Sequence, residues 1–421
     1  MTAPGTGRTR PGAGGRNAHA GARLAVAAMF LTNGAIFANL LPRYPLIKDE
    51  LDLSNAAIGT AIAAFPLGAL IAGLAAGTLI QRFRSSRVAV AGTLLTAVAI
   101  LVAGLAPSWV ALAAAMFVGG AMDAIVDVAQ NAHGLRVQRL YGRSILNSFH
   151  AAWSAGAVLG GLMGSAAAGV DLDLGVHLGI SGVVFCVVAL VAYRFMLPGP
   201  ESAERETPSS APAGRAAPGV PGRSRGIPSR TLGILLALGV IGACAALAED
   251  AGSSWGAIYL TGTLGAAAGA AGLAFVALQG MQFVGRILGD RMVDHFGQRT
   301  IGRAGGALTA IGMGLALAFP TTATTIAGFG LAGLGVATLI PAAMHAADEM
   351  PGLRPGAGLT VVTWLMRVGF LASPPLVGLV ADAVDLRTGL LLVPLGGVVV
   401  VVLSRFLPRR PAGVPAELLG R

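Results

Sequence analysis

Hydrophobic residues run along this chain in long blocks, not in alternation. A helix needs about 20 residues to cross the hydrocarbon of a bilayer. Twelve stretches meet that length: 24–41, 56–80, 88–105, 110–128, 149–170 and 176–196, then, after a break, 232–248, 266–288, 301–319, 325–347, 358–380 and 388–407. The pattern predicts an all-α polytopic membrane protein with twelve transmembrane helices, six and six. The break, 197–230, is rich in Pro, Ala, Gly, Ser and Arg and has no apolar periodicity, so it is expected to be a flexible cytoplasmic linker. The domains that follow are a disordered cytoplasmic tail (1–21), a six-helix bundle (22–196), the linker (197–230), a second bundle (231–407) and a cytoplasmic tail (408–421).

The basic residues thread these spans through the membrane. With both termini in the cytoplasm, cytoplasmic segments hold Arg8, Arg10, Arg16 and Arg23; Arg82, Arg84 and Arg87; Arg136, Arg139 and Arg143. They also hold the arginines from Arg194 to Arg230, then Arg286, Arg291, Arg299, Arg303 and Arg354, and those from Arg405 to Arg421. The outer side keeps only Arg43, Lys48 and Arg387, and Arg367 lies within a span. Retained cytoplasmic loops carry the excess of Lys and Arg. One span more or fewer would scramble the segregation.

Composition agrees. The 421 residues are 55% hydrophobic and 11% charged, where a soluble domain carries about 25% charged residues; mean hydropathy is +0.74. A net charge of +10 would suggest nucleic acid in a soluble protein, but here the charge sits in short loops between apolar blocks. Lys48 is the only lysine and Gly reaches 62 residues, which points to a GC-rich bacterial gene. The two cysteines, Cys186 and Cys244, lie in apolar stretches as small hydrophobes. The first 21 residues carry no apolar run, and the block that follows is too long for a signal-peptide core, so it reads as a retained first helix.

The two halves correspond at a loop. After the second span the chain reads GTLIQRFRSSR (77–87), and after the eighth DRMVDHFGQRT (290–300). Aligning Phe83 with Phe296 pairs Gln81 with Asp294 and Ser86 with Arg299. Both resemble the signature loop G-x-x-x-D-R-x-G-R-R of the major facilitator superfamily. In the first copy Gly77 and Arg82 match, Gln81 replaces the acid and Arg84 the second Gly. In the second, Asp294, Gly297 and Arg299 match, and Asp290 stands at the first Gly. Arg82, Arg87, Asp294 and Arg299 are candidate gating residues, since a carboxylate at a helix end accepts bonds from backbone N–H groups and Arg; the alternative is that the arginines only anchor the loops. The segment 127–161, with Asp127 ahead of Ala129 and Asn131 and a Gly-rich run after His150 and Trp153, resembles the YbjJ-type and fucose-permease-like branch. That resemblance implies the major facilitator fold of two six-helix bundles and a carrier, with proton-coupled sugar symporters among its members.

The candidate chemistry lies inside the spans. Asp123 and Asp127 are one turn apart in the fourth span and share a face with Asn131. Mid-membrane acids are costly and mark proton or ion pathways. By resemblance Asp127 matches the proton-linked acid of the sugar symporters; the alternative is a structural carboxylate permanently paired with Arg367 or capping a neighbouring helix. His150 and Trp153 share a face at the start of the fifth span, where the fucose-permease pattern carries Gln and Asn that bind sugar. An indole face and an imidazole suit a sugar ring; helix packing and an interfacial Trp would also explain them. Asn33, Asn39, Gln279 and Gln282 are amides within spans, placed there for substrate or for helix-to-helix bonds. Arg367 with its neighbour Trp364 can anchor an anionic group or balance Asp127. Glu249 and Asp250 fall near the outer end of the seventh span and read as solvated. Gly156, Gly160, Gly161 and Gly164 favour close helix packing.

No phosphate loop, zinc spacing or nucleophile constellation is present, so no cofactor, metal or catalytic residue is expected and the chain reads as a non-enzyme. The leading expectation is a secondary transporter moving a small polar solute, a sugar or related metabolite, by proton-coupled alternating access in a bacterial cytoplasmic membrane. Export antiport of a drug or metabolite is the alternative, and a non-transporting membrane sensor a third. The expected partners are a small-molecule substrate, the proton and membrane lipid, with no nucleic acid, and the chain acts as a monomer.

Overall fold

The computed structural model describes residues 13–141, 145–199, 229–350, 353 and 356–409. The expectations for the tail up to residue 12, for most of the linker and for the C-terminal tail from residue 410 lie outside the described residues, as do Arg143 and Arg354. Among the described residues every regular element is helical.

Among the described residues twelve spans are long and apolar enough to cross a membrane: α1 (Ala20–Glu50), α2 (Asn55–Ala72), α3 (Ser85–Gly104), α4 (Trp109–Tyr141), α5 (Leu146–Gly169), α6 (Leu174–Tyr193), α7 (Ser229–Ser254), α8 (Ala268–Gly289), α9 (Gln298–Ala318), α10 (Thr322–Asp348), α11 (Ala357–Ala383) and α12 (Leu386–Phe406). The predicted blocks map onto these one for one, and their differences have local causes. The first span runs as helix to Ala38, then turns through Leu41–Arg43 into a short helix, Tyr44–Glu50. The block 56–80 is interrupted after Ala72, where Ala75 bonds back to Ala72, and resumes as the helix Ala76–Phe83. The tenth span splits into Thr322–Val336 and Leu339–Asp348. Pro341 has no N–H to offer the carbonyl four residues back.

Packing within each half follows one scheme. In the first half α1 packs on α5 and α6, α2 on α4, and α3 on α4 and α6; in the second α7 packs on α11 and α12, α8 on α10, and α9 on α10 and α12. Each pair has its counterpart six helices later. Small residues set these approaches. On α5, Gly156 abuts the Leu31 carbonyl, Gly160 that of Ala35 and Gly164 that of Asn39, all on α1. A Cβ at any of them would overlap backbone, so the Gly-rich run does pack helix on helix.

The halves meet through α2 with α11 and α5 with α8. Exchanging the halves turns one pair into the other. These contacts lie at the end of the molecule away from the Arg-bearing loops. There Gly59 meets Pro374, Gly378 meets Asn55, Gly161 meets Phe275 and Gly169 meets Gly269. Side-chain N-caps gather at the same end: Ser54 on α2, Asp173 on α6, Thr321 on α10 and Asp385 on α12. The Thr388 backbone N–H, 2.6 Å away, holds the Asp385 carboxyl below the usual carboxylate range. Toward the Arg-rich end α4 and the second part of α10 pack chiefly within their own halves, which leaves a cleft between the bundles.

Candidate functional site

On α4, Asp123 and Asp127 share a face but have separate surroundings. The Asn33 amide of α1 donates to Asp123 Oδ1 at 2.8 Å, and the Trp153 indole N–H of α5 donates to Asn33 Oδ1 at 2.9 Å. The indole can only donate, so the Asn33 oxygen faces Trp153 and its NH₂ faces Asp123. Three helices are thereby tied through one buried amide. Asp127 is exposed to the cleft. Asn131 supports it, donating to the Asp127 carbonyl at 2.8 Å and to Oδ1 at 3.0 Å.

His150, also exposed, stands edge-on to Phe30 at 5.2 Å, and Phe30 stacks on Phe149 at 5.5 Å. It lies on the helical stripe of α5 that continues to Gly161 and Ser165, the residues that meet α8. On α11 the stripe through Gly378 and Pro374, which meets α2, continues to Arg367 and Trp364. Both are exposed, Trp364 to 48%. Asp127 lies within electrostatic reach of His150 in its own half and of Arg367 across the cleft, and His150 within reach of Arg286 of the second half. Among the described residues no ion pair joins Asp127 to Arg367. The alternative of a carboxylate paired directly with Arg367 is therefore not what the described residues show.

Other residues fall elsewhere. Asn39 is fully buried and committed, donating to the Ala35 carbonyl at 2.8 Å and meeting His177 Nε2 at 3.0 Å. It fastens α1 to α6 and does not reach the cleft. Gln282 Nε2 donates to Glu249 Oε2 at 2.8 Å, while Gln279 is buried with its Oε1 unpartnered. The reading of Glu249 and Asp250 as merely solvated is likewise corrected. Glu249 links α7 to α8, and Asp250 accepts from Ser254 at 2.9 Å with its other oxygen buried. Arg286, counted above among loop cations, sits within the helix Leu273–Phe296. Its seven-residue spacing from Gln279 was the signal that could have placed it on the inter-bundle face.

The paired loops stand apart from each other. Arg82, Arg87 and Asp294 are exposed, with Arg82 5.4 Å from the centre of the Phe83 ring. Arg299 is tied inside its own half, donating through Nε to the Leu407 carbonyl at 3.0 Å. The aligned loops nevertheless share one backbone shape: Arg84 has φ 75° and ψ 145°, and its counterpart Gly297 has φ 82° and ψ 151°.

A cleft between two related bundles thus holds an open carboxylate, an imidazole, two guanidinium groups and an indole. Such a set can take a proton at one point and hydrogen-bond a polar solute at others. Known proteins agree with this architecture. The chain is 29% identical to an uncharacterized transporter, y4wD, of Sinorhizobium fredii, over 90% of this chain and 96% of that protein. Its fold resembles the crystal structure of the nucleoside transporter NupG, with a TM-score of 0.69 and 12% identity over 91% of this chain and 98% of that one. It also resembles the E. coli fucose:proton symporter FucP, with a TM-score of 0.55 and 16% identity over 91% and 98% of the two chains. The family model of the Major Facilitator Superfamily matches twice, at residues 26–248 and 238–419. The repeated match has the same six-helix period as the packing, and the chain belongs to the Major Facilitator Superfamily of membrane transporters.

Proposed function

We propose that the protein is a proton-coupled carrier of a small polar solute, a sugar or related metabolite, working by alternating access. The observation that carries this reading is Asp127: a carboxylate within a span, open to the cleft and without an ion pair among the described residues. A charge kept in the membrane at such cost is accounted for if it binds and releases a proton. Solute contacts come from Asn131, His150 and Trp364, with Arg286 and Arg367 from the second half. Trp153 and Asn33 hold Asp123 behind them. Gln279, two turns from Arg286 on the same stripe of α8, is buried with its Oε1 unpartnered and is a further candidate contact. The arginine asymmetry supports a bacterial cytoplasmic membrane with both termini inside. In that orientation the cleft opens to the cytoplasm. Two bundles around a midplane site are the geometry in which rocking exposes each side in turn.

The test begins with a thermal-shift screen of the purified protein against sugars, nucleosides, amino acids and drugs, because a ligand of the native state raises apparent stability. The stabilising compound is then offered to proteoliposomes under an inward proton gradient. Accumulation is expected. Efflux driven by the same gradient would replace symport with export antiport, and binding without flux in either direction would favour a sensor.

A further inference from the structure

The first turn of α2 has an unusual set of partners. A helix leaves its first N–H groups without intrahelical acceptors. Ser54 Oγ accepts from Ala57 N at 3.1 Å, which satisfies one. Two more are met from the opposite half: Asp382 of α11 accepts from Asn55 N through Oδ1 and from Ala56 N through Oδ2, both at 2.8 Å. The carboxylate is thus bidentate on the positive end of a helix in the other bundle. The α5–α8 contact repeats the arrangement with a weaker group. Ser165 Oγ of α5 accepts from Gly272 N at the start of α8, 3.0 Å away. Exchanging the halves converts α2 to α8 and α11 to α5, so these are two copies of one device, one ionic and one neutral.

Both sit where the halves touch, beside the close contacts of Gly59 and Gly378. Separating the bundles at this end must break both, and water would then have to satisfy Asn55 N and Ala56 N. Asp382 is exposed, so water is already at hand and the contact is strong enough to bias closure yet cheap to exchange. We infer that Asp382 and Ser165 are the reciprocal latches of the Arg-poor gate, with Asp382 the dominant one, and that they set the balance between the two faces of the carrier. This rests on the alternating-access reading but needs no substrate to test.

The measurement is electron-spin distance spectroscopy on the full chain with Cys186 and Cys244 replaced by serine. One label pair, Leu105→Cys with Phe319→Cys, spans the Arg-poor end; another, Phe83→Cys with Phe296→Cys, spans the Arg-rich end. All four positions are exposed. Asp382→Ala is expected to move the population about tenfold toward separation at the Arg-poor end and approach at the other, as loss of a charged cap implies. Ser165→Ala is expected to act in the same direction and less. Asp382→Asn, which keeps one acceptor, serves if the alanine variant does not fold. Distributions equal to the parent in a folded Asp382 variant, or a shift toward tighter closure, would overturn the inference. Because distances are read without solute, failure of the transport reading would not imitate either result.

Discussion

Asp123 and Asp127 are one helical turn apart, yet their neighbours give them different tasks. Asp123 is held in the chain from Trp153 through Asn33, whereas Asp127 keeps a free face to the cleft. Removing the central amide strands both ends. Asn33→Ala is expected to cost about 2 kcal/mol, because a buried carboxyl oxygen and an indole N–H lose their partners. A lowered thermal midpoint in detergent would register it; an unchanged one would contradict the network. The acids themselves were legible in the sequence, since their spacing alone sets their shared face. Their partners were not, because Asn33 and Trp153 come from helices 120 residues apart. Arg286 was misplaced for a related reason. A cation near a predicted helix end counts equally well as a loop residue until the neighbouring bundle is seen.

Helices were the easiest objects to read and their breaks the hardest. A run of apolar residues reports length, but the split of the tenth span depends on Pro341 and the turn after Ala72 on a tightened hydrogen bond. The loop motif carries a subtler lesson. Arg84 looked like a lost glycine, but it keeps the positive-φ backbone of Gly297. A side chain in that region is strained. Arg84→Gly is therefore expected to stabilise the protein by about 1 kcal/mol, read as a higher unfolding midpoint; destabilisation would show that the arginine side chain compensates. The inter-bundle glycines act in the opposite sense. A Cβ on Gly59 would sit 2.5 Å from the Pro374 carbonyl oxygen. Gly59→Val is expected to part the halves at that end and to speed labelling of a cysteine placed at Ile47, now 2% exposed, by a membrane-impermeant maleimide. Unchanged labelling would mean that the contact yields without opening the gate.

At the scale of the whole molecule, two six-helix units share one packing scheme, meet through two exchangeable helix pairs at the Arg-poor end and diverge toward the Arg-rich end. The sixfold division and the duplicated loop could be read from hydropathy and alignment, because both are local in sequence. Which face is closed could not, since it depends on contacts such as Asp382 with Asn55, 327 residues apart. On the proposed function, protonation of Asp127 and the rocking of the bundles would be one process, with the carboxyl changing charge as the solute is released. The most direct measurement compares the parent with Asp127→Asn in proteoliposomes, using the solute found by thermal shift. The parent is expected to accumulate it under an inward proton gradient, while the variant, fixed in a neutral form, still exchanges solute across the membrane but accumulates none. Equal gradient-driven accumulation by both would contradict it.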